Sequence, residues 1–112
     1  MKKFLVLFLI PVGVMEDWMK KDAVERKAEE DKMGADWDTW TRDNKSHFVD
    51  APTGAGKTKT ITLEGITDTK NNIMMCATVE ANSDDDAAAL FVNHPHLQIS
   101  QSSIEIMGLK SL

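Results

Sequence analysis

The elements that the sequence predicts follow the order β-α-β-β-α-β, which is the order of a ferredoxin-like α+β fold. Three observations predict this fold. An apolar run opens the chain, a long helix with an apolar stripe follows it, and two strand signals, a capped helix and a last strand occupy the second half. The chain has 112 residues and no internal repeat or linker, so we expect one domain over residues 1–112.

The first predicted strand is Phe4–Ile10, seven consecutive apolar residues that end at Pro11 and Gly13. A secretory signal peptide is the alternative, because Met1-Lys2-Lys3 precedes the run, but no convincing small-x-small cleavage site follows it. The run is too short to span a bilayer. A buried strand is therefore the favoured interpretation. With Cys76 as the single cysteine, it suggests a cytoplasmic protein with no membrane association.

Two helices are predicted after this strand. The first is short and rests on apolar residues at helical spacing: Val14, Met15, Trp18 and Met19. The second begins at Asp22, an N-cap with Glu25 as its capping-box partner, and runs to about Asn44. Its second half carries an apolar stripe that we expect to face the core: Met33, Trp37 and Trp40.

The second half of the chain supplies the remaining elements. Asp50–Gly56 is predicted as a loop, the β-branched Thr58–Leu63 as strand 2, Glu64–Asn72 as a connection and Ile73–Glu80 as strand 3. Ser83 then reads as the N-cap of helix 2, which Pro95 stops, and Ser103–Leu109 is the last strand. One face of helix 2 is expected to carry Ala87, Leu90, Phe91 and His94.

Strands 1 and 3 are apolar on both faces, which predicts a homodimer. Phe4, Val6, Phe8 and Ile10 point one way along strand 1, and Leu5, Leu7 and Leu9 point the other way. In a sheet covered by helices on one side only, the second face would expose an apolar patch that is rare on a monomer. A partner sheet is the simplest cover. The alternative is that the long helix or the loops fold over that face.

The most conspicuous motif, Ala51-Pro52-Thr53-Gly54-Ala55-Gly56-Lys57-Thr58, fits a loose Walker A pattern. A phosphate-binding loop needs a helix whose N-terminus follows it, whereas strand-forming residues follow here, and no later apolar strand ends in Asp. We therefore expect a glycine turn and no nucleotide binding. The formal net charge of −5 argues against a nucleic-acid partner, and the scattered His and Cys residues give no standard metal spacing. We expect no cofactor and no metal.

His94-Pro95-His96-Leu97 is the most distinctive remaining segment. An imidazole at the end of a helix that lines a cleft is a candidate general base or ligand anchor. The alternative is a helix C-cap in which the imidazole satisfies terminal carbonyls. Both interpretations stay open for His94 and His96.

At this segment the chain resembles the YCII-related proteins of the dimeric α/β-barrel superfamily. The resemblance rests on Lys2-Lys3-Phe4-Leu5-Val6-Leu7, the Trp-bearing long helix, Gly56-Lys57-Thr58-Lys59-Thr60, His94-Pro95-His96-Leu97 and Ile104-Glu105-Ile106-Met107. It implies a ferredoxin-like subunit, a homodimer and a cleft between sheet and helices. Many relatives carry an Asp-Gly-Pro-Phe motif between strands 2 and 3, where this chain has Gly65-Ile66-Thr67-Asp68. An enzymatic role is implied only by analogy with lactone isomerases and small-ring monooxygenases.

Two functions follow as hypotheses. The first is a cofactor-independent enzyme that transfers a proton on a small organic substrate, with His94 as the base and with His96 and Asp68 or Asp50 orienting it or binding substrate. The second is a non-catalytic module that binds a small ligand or acts as a dimeric interaction domain. A deep polar pocket around His94 would favour the enzyme, and a filled core there would favour the module.

Overall fold

The computed structural model describes all residues, 1–112, and its main sheet has the strand order of a ferredoxin-like fold. The strands are β1 (Lys2–Leu9), β2 (Phe48–Gly54), β3 (Thr58–Thr62), β4 (Gly65–Thr69), β5 (Ile73–Ala81) and β6 (Ser103–Gly108), and the helices are α1 (Val12–Met19), α2 (Ala23–Asn44) and α3 (Asp84–Ala89). The four-stranded sheet runs in the order β2-β5-β1-β6, and every neighbouring pair is antiparallel. The α+β, ferredoxin-like prediction is confirmed, with β1 and β5 at the centre.

The second strand of the sheet is not the segment that the sequence predicted. Phe48–Gly54 pairs with β5 at the sheet edge, whereas Thr58–Thr62 pairs with Gly65–Thr69 in a separate two-stranded hairpin. The prediction of a loop over Asp50–Gly56 and of a plain connection over Glu64–Asn72 was therefore wrong. An edge strand tolerates Pro52 and a broken register because its outer N–H groups need no partner, and β2 has two register shifts against β5. The signals for a strand and for a loop overlap there.

The core lies between the sheet and the helices. Phe4, Val6 and Phe8 are buried on β1, Ile10 is buried directly after it, and Ala77 and Val79 are buried on β5. Trp37 and Trp40 of α2 pack against this core, as the stripe predicted, together with Phe91 from the segment after α3. Asp22 caps α2, because its carboxylate accepts hydrogen bonds from the backbone N–H groups of Val24 and Glu25 at 3.1 and 3.4 Å.

The opposite face of the sheet remains partly exposed. Leu5, Leu7 and Leu9 are only half-buried in the single chain, and Leu7 lies across from Cys76 on one side and Glu105 on the other. Helix α2 does not cover this face, because its two tryptophans pack on the core side. The apolar face that motivates the dimer prediction is therefore present, and the helix offered as its alternative cover lies elsewhere.

Helix α3 is shorter than the sequence predicted. It ends at Ala89, and a turn then leads to a 3-10 helix at Pro95–Gln98. Residues before proline avoid helical geometry, and His94 has an extended backbone with ψ of 138°. His94 therefore lies beyond the helix and not in its last turn, although Ala87, Phe91 and His94 are all buried as expected.

Candidate functional site

His94 and His96 come together in the interior, on either side of Pro95. Each is only 2% exposed. The Nδ1 of His94 accepts a hydrogen bond from the backbone N–H of His96 at 3.0 Å, so His94 is the N-cap of the 3-10 helix Pro95–Gln98. The imidazole thus caps the beginning of the turn that follows it, and not the end of α3.

Four aromatic rings surround His94. The ring centroids of Trp37 and Trp40 lie 4.4 Å from that of His94, Phe8 lies at 5.2 Å and Phe91 at 5.9 Å. Because Nδ1 accepts a hydrogen bond, the proton of the neutral ring must be on Nε2, and Nε2 is buried with no hydrogen-bond partner. Burial, and secondarily the charge of His96, lowers the pKa of His94 from 6.5 to about 4. His94 is therefore neutral at pH 7, with its lone pair already engaged.

His96 ties the same turn to the central strand. Its Nε2 donates a hydrogen bond to the carbonyl of Leu9 at 2.9 Å, at the end of β1. The hydroxyl of Ser102 donates a hydrogen bond to the backbone carbonyl of His96 at 2.9 Å. This bond links the turn to the residue that directly precedes β6. Burial lowers the pKa of His96, while hydrogen bonds with the backbone of Leu9 and Ser103 act in the opposite direction.

A cavity of about 780 Å³ opens between the sheet, α1 and α2, and we call it the His96 cavity. His96 is part of its wall, whereas His94 is not. Most of the remaining wall is apolar or aromatic, including Ile10, Trp18, Met33, Trp37 and Met75. Its rim carries the ion pair of Lys21 and Glu29 at 3.2 Å. This volume is within the range of pockets that hold small organic molecules.

Asp68 lies outside the His96 cavity. It is exposed on β4, forms an ion pair with Lys59, and borders a different cavity between α1 and the hairpin. Asp50 is exposed on the edge strand β2. The structure thus brings His94 and His96 together and places neither aspartate with them. The roles assigned to His94, His96 and Asp68 in catalysis stay predictions.

Sequence reasoning missed the residues that enclose the imidazoles. Trp37 and Trp40 were assigned to the core by their helical spacing, and nothing in the spacing showed that the same two rings would contact His94. Met33 was assigned likewise, but it lines the His96 cavity. The sequence did place an aromatic stripe on the core side of α2 and a histidine on the core side of another element. That these side chains contact one another follows only from the packing of α2 on the sheet.

The loop that resembles a Walker A motif leads into a strand. Ala55–Lys57 connects β2 to β3, which begins at Thr58, and no helix follows. The strand-forming context predicted for this loop is confirmed. No group of three or more His, Cys, Asp or Glu side chains is arranged to hold a metal ion. None of the helices is both long and apolar enough to cross a membrane.

No family model matches the chain, and no curated protein matches it. Among solved structures, the chain is similar to 5-chloro-2-hydroxyhydroquinone dehydrochlorinase from Burkholderia phenoliruptrix, solved in complex with 2,5-dihydroxybenzoquinone. The two are 16% identical, the similarity covers 94% of this chain and 91% of that one, and the TM-score is 0.48. The fold assignment rests on the strand order of the main sheet.

Proposed function

We propose that this chain is a YCII-related protein that binds a small organic molecule in the His96 cavity and works as a homodimer. The observation that carries the proposal is the cavity itself: about 780 Å³, with half of its lining residues hydrophobic, among them four methionines and two tryptophans, and with one buried imidazole. Such a site suits an apolar or aromatic ligand that makes few polar contacts. Methionine side chains adapt to irregular shapes, so the cavity suits a ligand with a flat ring as well as one with an aliphatic chain.

The surroundings of His94 favour ligand binding over catalysis by this residue. A general base needs a free lone pair within reach of the substrate, but Nδ1 of His94 is engaged by the N–H of His96 and the ring is enclosed by aromatic side chains. A filled core around His94 is what the ligand-binding or interaction module predicts. His94 then supports the site by holding His96 in place.

Proton transfer remains the second candidate, because His96 is part of the cavity wall. Burial lowers its pKa, so the ring is neutral at pH 7, the form in which an imidazole accepts a proton. In this version a carbon acid bound in the cavity would give up a proton to His96 and regain one at another atom. The substrate would be isomerised with no cofactor.

A thermal-shift screen with small aromatic and aliphatic metabolites tests the binding proposal. Ligands of the His96 cavity should stabilise the wild type and Ala28→Trp, which adds a ring at an exposed position of α2 outside the wall. The same ligands should not stabilise Met33→Trp, because the larger side chain occupies the cavity. The proposal fails if no compound stabilises the wild type, or if all three proteins respond alike.

Deuterium exchange then separates the enzyme from the module. Each ligand found in the screen is incubated with protein in D₂O, and its proton spectrum is followed over time. Solvent deuterium entering the ligand with the wild type, and not with a His96→Gln variant that still binds it, would support proton transfer. Binding without exchange in the wild type would support the module.

The dimer is tested on the exposed sheet face. Full burial of one Leu side chain contributes roughly 1.5–3 kcal/mol, so Leu5, Leu7 and Leu9, which are half-buried already, would each contribute part of that. Leu7→Lys puts a charge into the proposed interface and should lower the mass measured by light scattering to 12.5 kDa. Val92→Lys makes the same change at an exposed position and should leave the mass unchanged. A wild type at 12.5 kDa at micromolar concentration contradicts the proposal.

A further inference from the structure

A second cavity, separate from the proposed ligand site, lies between α1, the hairpin and the start of β5. Its volume is about 840 Å³, and we call it the hairpin cavity. One part of its wall is apolar and comes from β5, α1 and the end of β1: Ile10, Val12, Met15, Met19, Ile73 and Met74. The other part is polar and comes from α1 and its end, the β2–β3 loop and the base of the hairpin.

The polar part of this wall is positively charged, although the chain as a whole is acidic. Four lysines, Lys20, Lys57, Lys59 and Lys70, border the cavity, against two carboxylates, Glu16 and Asp68. Lys59 pairs with Asp68, Lys70 pairs with Glu16 at 3.1 Å, and Lys20 lies 3.9 Å from Asp17. Lys57 forms no ion pair. In a chain with a formal net charge of −5, this is a local excess of positive charge beside an apolar surface.

The position of Lys57 is set by the loop that carries it. The backbone N–H of Ala55 donates a hydrogen bond to the carbonyl of Met74 at 2.9 Å, which attaches the loop to β5 at the apolar wall. Strand β3 begins directly after Lys57 and is held by its pairing with β4. The free ammonium group is therefore carried by a backbone that is anchored on both sides, next to the methionines.

We propose that the hairpin cavity binds a small amphipathic carboxylate, with the carboxylate at Lys57 and the apolar body against Met15, Met19 and Ile73. One unpaired lysine matches one negative charge. Phosphate esters carry about two charges and are typically held at the N-terminus of a helix, but a strand, not a helix, follows this loop. The inference does not rest on the function proposed for the His96 cavity, since Lys57 and Met19 do not border that cavity.

Calorimetric titration with octanoate, and with 1-octanol as a neutral probe of the same length, tests the charge. We expect saturable octanoate binding that is tighter than octanol binding and that weakens with added salt. Lys57→Met keeps an unbranched apolar side chain but removes the charge, and should weaken octanoate binding about fivefold. Lys57→Arg and Lys110→Met, a lysine outside the cavity, should bind octanoate like the wild type. Equal affinities for octanoate and octanol, or no effect of Lys57→Met, overturn the proposal.

Methyl spectra of ¹³C-methionine-labelled protein locate the bound probe. Met19 borders only the hairpin cavity, whereas Met33 and Met75 border only the His96 cavity. Octanoate should shift the Met19 methyl signal and leave those of Met33 and Met75 in place. Shifts confined to Met33 and Met75 would overturn the assignment to this cavity and would instead support the proposed function.

Discussion

Burial of His94 should make the protein less stable as the pH falls below neutrality. In the unfolded chain this side chain has the ordinary histidine pKa of 6.5, whereas in the folded protein burial among aromatic rings lowers the pKa to about 4. A group whose folded pKa is depressed contributes stability that is complete above the unfolded pKa. That stability is lost as the pH falls from 6.5 towards 4, because the unfolded state takes up a proton that the folded state does not.

The size of the loss follows from these two values. Between pH 7.5 and pH 5 the proton uptake of the unfolded chain lowers the free energy of unfolding by about 2 kcal/mol. His96 adds a loss in the same direction, because burial lowers its pKa as well. Small domains have a free energy of unfolding of about 5–15 kcal/mol, so an effect of this size is readily measured.

Urea denaturation at pH 7.5, 6 and 5, followed by tryptophan fluorescence, measures this loss, since Trp37 and Trp40 contact His94. His94→Asn keeps an acceptor for the N–H of His96 but does not titrate, so its free energy of unfolding should depend much less on pH. His47→Asn removes a histidine that is not buried and should retain the wild-type dependence. A wild type equally stable at pH 7.5 and pH 5, or a His94→Asn variant with an unchanged pH dependence, would refute the reasoning.

Three further predictions follow from the packing and the caps. Phe8→Ala removes a fully buried ring that packs on Trp37 and both histidines, and should lower the free energy of unfolding by about 3–5 kcal/mol in urea titrations. Asp22→Ala removes the N-cap of α2 and should cost about 1 kcal/mol by the same measurement, whereas Asp17→Ala, at a highly exposed position, should change little. The protein should not bind ATP with Mg²⁺ in calorimetric titrations, because a strand follows Lys57; saturable micromolar binding that Lys57→Ala abolishes would contradict this.

The elements of the main sheet and of α2 could be predicted wherever the sequence had a clear pattern of apolar residues. Seven consecutive apolar residues are typical of a central strand that is buried on one face and covered, at least in part, on the other, and β1 occupies that central position. The capped helix α2 and its tryptophan stripe were predicted for the same reason. Strand β2 could not be predicted, because an edge strand needs no alternation and accepts both Pro52 and Gly54.

The hairpin shows how local propensity and tertiary position differ. The β-branched residues of Thr58–Thr62 correctly predict a strand, but propensity does not say which strand it pairs with. Gly65, with φ of 127°, closes a tight turn after Leu63 and Glu64, and this local pairing joins β3 to β4 in place of β5. The structure therefore has two strands more than the sequence predicted. The edge position expected for the predicted strand Thr58–Leu63 is occupied by Phe48–Gly54 instead.

The site was predicted only as far as the residue types. The sequence identified His94 and His96 as a pair near the end of the second helix, but the tautomer of His94 depends on a contact with the next backbone N–H, and its enclosure depends on α2. Asp68 was predicted to orient His94 or bind substrate, but no sequence pattern placed it near the histidines. In the structure Asp68 lies on β4 of the hairpin, away from the histidines, and forms an ion pair with Lys59.

Helix α1 is the wall that both cavities share. Met15 borders each of them, and no residue of the helix is buried. The helix is held at its beginning by Asn72, whose side-chain oxygen accepts from the N–H of Val12 at 3.2 Å, and along its length by the ion pair of Glu16 and Lys70. Because apolar helices are normally stabilised by burying one face, an α1 with half-buried Val12 and Met15 gains stability from whatever fills the space beneath it. A ligand in either cavity should therefore stabilise this helix. Met33 and Met75 lie outside α1 and border the His96 cavity alone, so their signals distinguish the two sites.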